Sequence, residues 1–178
     1  MKNYQIEKEY KMMLEESKFK MIISGLNPDT VTRQNNFYYT ASHNMGMRIR
    51  EIDQHYYYTL KHYINGEVRE YEWEIPDNNI DDPSITNLLN ELHIDHPVYM
   101  GSLFTTRYIK EYPLGTLCLD ENEYLGKIDY ELEYELKDAT QDDYKTLEEF
   151  LKTYNLSYIV NTNTKYKRFK DRLKEVKE

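Results

Sequence analysis

The chain has 178 residues, a formal net charge of −9, 31% charged and 39% hydrophobic residues, and 19 tyrosines. That length suits one domain with a substantial core, so 1–178 is read as a single domain. The negative charge excludes a general nucleic-acid surface, and no apolar run approaches the ~20 residues of a membrane span. A charged strand pattern begins at Tyr4, so no leader segment is expected and a cytoplasmic location follows. The single cysteine, Cys118, excludes an intrachain disulfide and a cysteine-based zinc site. Between Leu117 and Leu119 it reads as a small buried hydrophobe.

In chain order, residues 4–11 alternate as a strand, and 12–24 read as a short helix with Met13, Leu14, Phe19, Ile22 and Ile23 apolar. Gly25 and Pro28 stop it. Strands are expected at 31–41, 46–53, 56–64 and 67–75, the last two joined by the hairpin signal Asn65-Gly66. Residues 84–93 read as a helix opened by Pro83-Ser84. Strands resume at 98–111, 114–121 and 127–136, and helices close the chain at 141–154 and 163–177. The expected class is α+β, mainly antiparallel, with peripheral helices.

The charged residues follow strand spacing. Glu7, Glu9 and Lys11 sit at i, i+2 and i+4, one face of a strand. Arg48 and Arg50 share a face, as do Thr59 and Lys61, and Arg107 lies mid-strand. Asp129, Glu131, Glu133 and Glu135 alternate with Tyr130, Leu132, Tyr134 and Leu136. Four like charges on one strand face need neutralising cations, and hard carboxylate oxygens suit Mg²⁺ or Mn²⁺. The arginines and lysines supply the forked donors and point charges that a polyphosphate needs. Should the sheet close into a barrel, these faces point inward together.

Glu7-x-Glu9-x-Lys11 resembles the ExExK signature of the CYTH superfamily, the triphosphate tunnel metalloenzymes. Arg48-Ile-Arg50, Thr59-Leu-Lys61, Arg107, Glu131-Leu-Glu133-Tyr-Glu135 and Lys165-Tyr-Lys-Arg168 are similar to that family's later motifs, in the same order. One short motif is weak; the ordered series is specific. Where many members carry an Asp at the end of the second strand, this chain has Thr40, so no acidic role is carried over there.

The resemblance implies a closed eight-stranded tunnel barrel and metal-dependent hydrolysis of inorganic triphosphate, thiamine triphosphate or a nucleoside triphosphate. It implies Lys11, Arg48, Arg50, Lys61 and Arg107 as catalytic and substrate-binding cations, with Lys165 and Arg168 adding to substrate binding. Glu7, Glu9, Glu131, Glu133 and Glu135 are the implied metal ligands, the register of the late glutamates being left open. A small-molecule substrate, with no nucleic-acid or membrane partner, is expected of a monomer or homodimer. Two alternatives remain: an adenylyl cyclase, and a noncatalytic polyphosphate or nucleotide sensor. His93 and His96 read as a solvated loop, Trp73 as core, and Glu70 and Glu72 as facing either the lumen or the outside.

Overall fold

The computed structural model describes residues 3–177. Among them the elements are β1 (Gln5–Glu7), β2 (Glu9–Leu14), α1 (Glu16–Gly25), β3 (Thr30–Tyr39), β4 (Met45–Ile52), β5 (His55–Ile64), β6 (Glu67–Ile75) and α2 (Pro83–Glu91). There follow β7 (Tyr99–Glu111), β8 (Gly115–Tyr124), β9 (Lys127–Leu136), α3 (Tyr144–Thr153) and α4 (Lys165–Glu175). The strands hydrogen-bond in the order β1-β6-β5-β4-β3-β7-β8-β9-β2. Every pair whose register is defined is antiparallel.

The class is α+β, as the alternation implied, with nine strands in the sheet rather than eight. The extra strand arises at Lys8, where the first expected strand divides: β1 pairs with β6 and β2 with β9. Met12–Leu14, read as the start of a helix, instead extend β2. A short apolar run fits either period, and pairing of Met12 with Leu132 and of Leu14 with Tyr130 settles it as strand.

The chain divides into two compact units. The first contains the residues up to Glu7 and Gln34–Phe104; the second contains Lys8–Arg33 and the chain from Thr105 onward. Strands β3 and β7 contribute to both.

In the first unit, alternate residues of β4, β5 and β6 (Met47, Ile49, Tyr58, Leu60, Tyr71 and Ile75) form an apolar layer. Helix α2 packs Ile85, Leu88 and Leu89 into it. Asp82 starts that helix by accepting a bond from the Ser84 amide, and Pro83 follows at the first helical position. The β5–β6 hairpin turns through Asn65 and Gly66 at φ of 52° and 82°, left-handed backbone that these two residues adopt at low cost.

The second unit repeats the arrangement. Met12, Leu14, Leu117, Leu119, Tyr130, Leu132, Tyr134 and Leu136 form one apolar face, covered by Phe19 and Ile22 of α1 and by Leu147 and Leu151 of α3. Burying a side chain of this size stabilises by about 1.5–3 kcal/mol. Strand β8 opens on glycine because space demands it. A Cβ at Gly115 would lie 2.5 Å from Cζ of Tyr134 and 2.9 Å from the Glu135 carbonyl oxygen.

Candidate functional site

With one face of each unit covered by helices, strand alternation sends the charged residues to the other face. In the first unit Arg48 stands opposite Thr59, Thr59 opposite Glu72, Arg50 opposite Asn36 and Lys61 opposite Glu70. Arg48 Nε reaches Thr59 Oγ1 at 3.4 Å, and that hydroxyl donates to Glu72 Oε2 at 2.9 Å. Arg50 Nε donates to Asn36 Oδ1 at 3.0 Å, while buried Asn36 donates to the Leu103 carbonyl at 3.2 Å. Each guanidinium is thus oriented through its Nε. Lys61 Nζ donates to both Glu7 oxygens, at 2.5 and 2.6 Å, and lies 3.6 Å from Glu70. Burial disfavours the charged form of Glu72, but the Arg50 and Arg48 guanidiniums outweigh it and hold the carboxyl below its ordinary range.

Glu70 and Glu72, left open by alternation alone, share the face of Lys61 and Thr59. Trp73 belongs to the opposite, core face and donates its Nε1 to Ser84 Oγ at 2.8 Å. His93 and His96 are exposed.

The second unit carries a denser charge set. Arg107 holds Asp120 through two bonds of 2.7 and 2.6 Å and reaches Glu133 at 2.5 Å. Lys11 lies 2.6 Å from Glu9 and 3.6 Å from Glu133. Arg168 bonds Asp129 through Nε at 2.9 Å and Glu131 through Nη2 at 3.1 Å, and donates to the Asn163 carbonyl at 2.7 Å. Lys165 contacts Asp120, Glu131 and Glu133. A neutral chain supports the acids: Thr105 donates to Asn122 at 2.8 Å, Asn122 to Asp129 at 3.1 Å, and Tyr124 to Asp129 at 2.6 Å. Glu135 stands opposite Glu9.

Asp120, Glu131 and Glu133 each offer a carboxylate oxygen, all within 4.8 Å of one another and all buried. Such a hard-oxygen set fits a divalent cation. Burial opposes ionisation of Glu133, yet Lys165, Lys11 and Arg107 hold it well below the ordinary carboxylate range. Asp120 is likewise lowered against burial by Arg107 and Lys165, and Asp129 by Arg168. The unfolded chain therefore binds protons that the folded chain excludes. The stabilisation is complete above the unfolded values near ~4 and is lost as pH falls through the lower folded values. Urea midpoints measured from neutral pH downward are expected to hold steady and then fall steeply below about pH 4. A midpoint unchanged at about pH 3 would contradict the ion-pair account.

The sequence-derived residues thus gather as two sets. Glu7, Arg48, Arg50 and Lys61 lie in the first unit; Glu9, Lys11, Arg107, Glu131, Glu133, Glu135, Lys165 and Arg168 lie in the second. The expectation that Glu7, Glu9 and Lys11 share one strand is corrected, since the strand breaks between Glu7 and Glu9.

Cys118 is buried, but its register opposite Glu133 puts it on the charged face, not in the apolar layer with Leu117 and Leu119. Burial pushes its thiol up to about 12 despite the Arg107 guanidinium, so it is no nucleophile. Asp129 joins the site from the acidic face already read on the last strand, and Asp120 and Asn122 join it beyond the residues that the motifs indicate. Their signal is the alternation Cys118, Asp120, Asn122, which continues the charged face through a strand running to Tyr124 rather than stopping at residue 121.

The fold has counterparts. The CYTH domain family model matches residues 5–169, and the chain belongs to that family. A Bacillus subtilis (strain 168) protein named as a candidate triphosphatase, YjbK, is 29% identical over 150 residues, covering 75% of this chain and 79% of the relative. The crystal structure of a candidate adenylate cyclase from Bacillus halodurans superposes with a TM-score of 0.79 at 27% identity, covering 94% of this chain and 98% of that one. HpAC1 from Hippeastrum, a candidate adenylyl cyclase described as having a dominant triphosphatase activity, superposes at 0.75 and 22% identity, covering 93% and 95%. This last likeness is one of fold.

Proposed function

We propose that the chain is a divalent-metal-dependent triphosphatase, acting on inorganic triphosphate, thiamine triphosphate or a nucleoside triphosphate. The observation that carries this reading is the oriented pair Arg48 and Arg50 beside Lys61, within a CYTH domain related to a protein named as a triphosphatase. Forked guanidiniums spaced along one strand face suit the row of oxygens of a polyphosphate.

In this reading Arg48, Arg50 and Lys61 are the phosphate-binding cations of the first unit, and Arg107, Lys11, Lys165 and Arg168 are the cationic set of the second. Asp120, Glu131 and Glu133 of the second unit would hold Mg²⁺ or Mn²⁺, with Glu9 and Glu135 as further candidate ligands in that unit and Glu7 as a candidate in the first. A bound divalent ion supplies Lewis-acid polarisation of phosphoryl oxygens and lowers the pKa of coordinated water. The protein's own contribution is electrostatic: donors fixed before the reaction meet the charge that develops on the equatorial and leaving oxygens. Water adds to the terminal phosphorus, the anhydride bond breaks, and orthophosphate is released. The reading treats 1–178 as one cytoplasmic domain whose partner is its small-molecule substrate.

Adenylyl cyclase is the second reading, supported by the name of the Bacillus halodurans relative. The two differ in product. Purified protein is incubated with triphosphate, thiamine triphosphate and ATP, each with Mg²⁺ and then Mn²⁺. The expected result is orthophosphate release, strongest for one substrate. Cyclic AMP with pyrophosphate would put the cyclase first, and binding without any product would favour the sensor.

A further inference from the structure

The first turn of α4 inserts an ammonium into the acidic cluster. Lys165 Nζ lies 2.7 Å from Asp120 Oδ2, 2.9 Å from Glu131 Oε2 and 2.5 Å from Glu133 Oε1. Each of these three residues offers a carboxylate oxygen within 4.8 Å of the other two. The Lys165 side chain is only 10% exposed. Its backbone is held from both sides. Thr164 Oγ1 caps the helix by accepting the Lys167 amide at 3.2 Å, and Arg168, one turn on, is tied to Asp129 and Glu131.

Divalent ions bind carboxylate oxygens at about 2.0–2.6 Å. An ion on these three oxygens would therefore compete with Nζ for the same space, and the two positive charges would repel. We propose that Lys165 is an internal counter-cation, so that a divalent metal takes Asp120, Glu131 and Glu133 only as the ammonium withdraws. This rests on the metal-dependent reading above.

The lysine stem is flexible and strongly hydrated at its tip, so Nζ leaves by rotation about side-chain bonds while Arg168 keeps α4 in place. The withdrawn ammonium requires a new anion, and a polyphosphate supplies one. Metal alone then binds weakly, and metal with polyphosphate binds more tightly. A cation faces the three carboxylates in both states, the ammonium before loading and the metal afterwards.

The test uses Mn²⁺ as the probe, with free ion measured by electron paramagnetic resonance on the full chain. Lys165→Met is expected to bind Mn²⁺ at least tenfold more tightly than wild type, and Lys165→Arg no more tightly. Equal affinity of Lys165→Met and wild type overturns the proposal. Should Lys165→Met fail to fold, the wild-type protein decides by lysine acetylation read by mass spectrometry. Lys165 is expected to be protected relative to Lys145, whose side chain is 84% exposed. Saturating Mn²⁺ without a phosphate anion is expected to raise its labelling severalfold. Labelling unchanged across the full titration overturns the proposal.

The same preparations are assayed for phosphate release. Tighter Mn²⁺ binding by Lys165→Met without hydrolysis retains the counter-cation and removes the triphosphatase. Hydrolysis by wild type with no change in Mn²⁺ affinity does the reverse.

Discussion

Arg48→Ala and Arg50→Ala are each expected to lower kcat/KM for triphosphate hydrolysis by about 10²–10³, the cost of losing one preorganised charge-assisted donor at a reacting centre. Both guanidiniums are half-buried and anchored through Nε, so they meet the anion without reorganising. Arg50→Lys keeps the charge but loses the fork and the bond to Asn36 Oδ1, so its rate is expected to fall between wild type and Arg50→Ala. Steady-state phosphate release supplies the rates, and circular dichroism confirms that the sheet persists. Rates within a factor of about three of wild type for both alanine variants would remove Arg48 and Arg50 from the mechanism.

The largest stability effect is expected at Arg168. Its side chain is 7% exposed and engages Asp129 and Glu131, whose side chains are 9% and 0% exposed. Arg168→Met leaves two buried carboxylates short of their partner, a loss of about 3–5 kcal/mol. Urea denaturation at neutral pH measures it. Lys167→Ala on the same helix is the control: its pair with Asp171 is solvent-exposed, and its loss is expected to change stability by less than about 1 kcal/mol. A similar, small effect for both variants would mean that Arg168 is not the tie between α4 and β9.

Most of the fold was legible because period-2 alternation is a local property. Strands β3 to β7 and β9 fall within a residue or two of the expected ranges, and β4 and β9 show a polar and an apolar face most plainly in their own sequence. Met12–Leu14 misled because three apolar residues fit a helix or a strand, and only pairing with β9 decides between them. The break at Lys8 misled for the same reason: Gln5–Lys11 reads as one alternating run, and its division follows from two different pairing partners.

The candidate site was legible as residue types in order, which is how the CYTH resemblance arose. It was not legible as contacts. Nothing local says that Lys165 reaches Asp120, 45 positions earlier in the chain, or that Cys118 faces Glu133 rather than its leucine neighbours.

Strand faces, helix positions and the inventory of cations and carboxylates depend on spacing along the chain, so the residue order was enough to set them. Which carboxylate meets which cation is a different kind of property. Ion pairing depends on distance through space and on burial, and both are set by strand register and by where α4 docks.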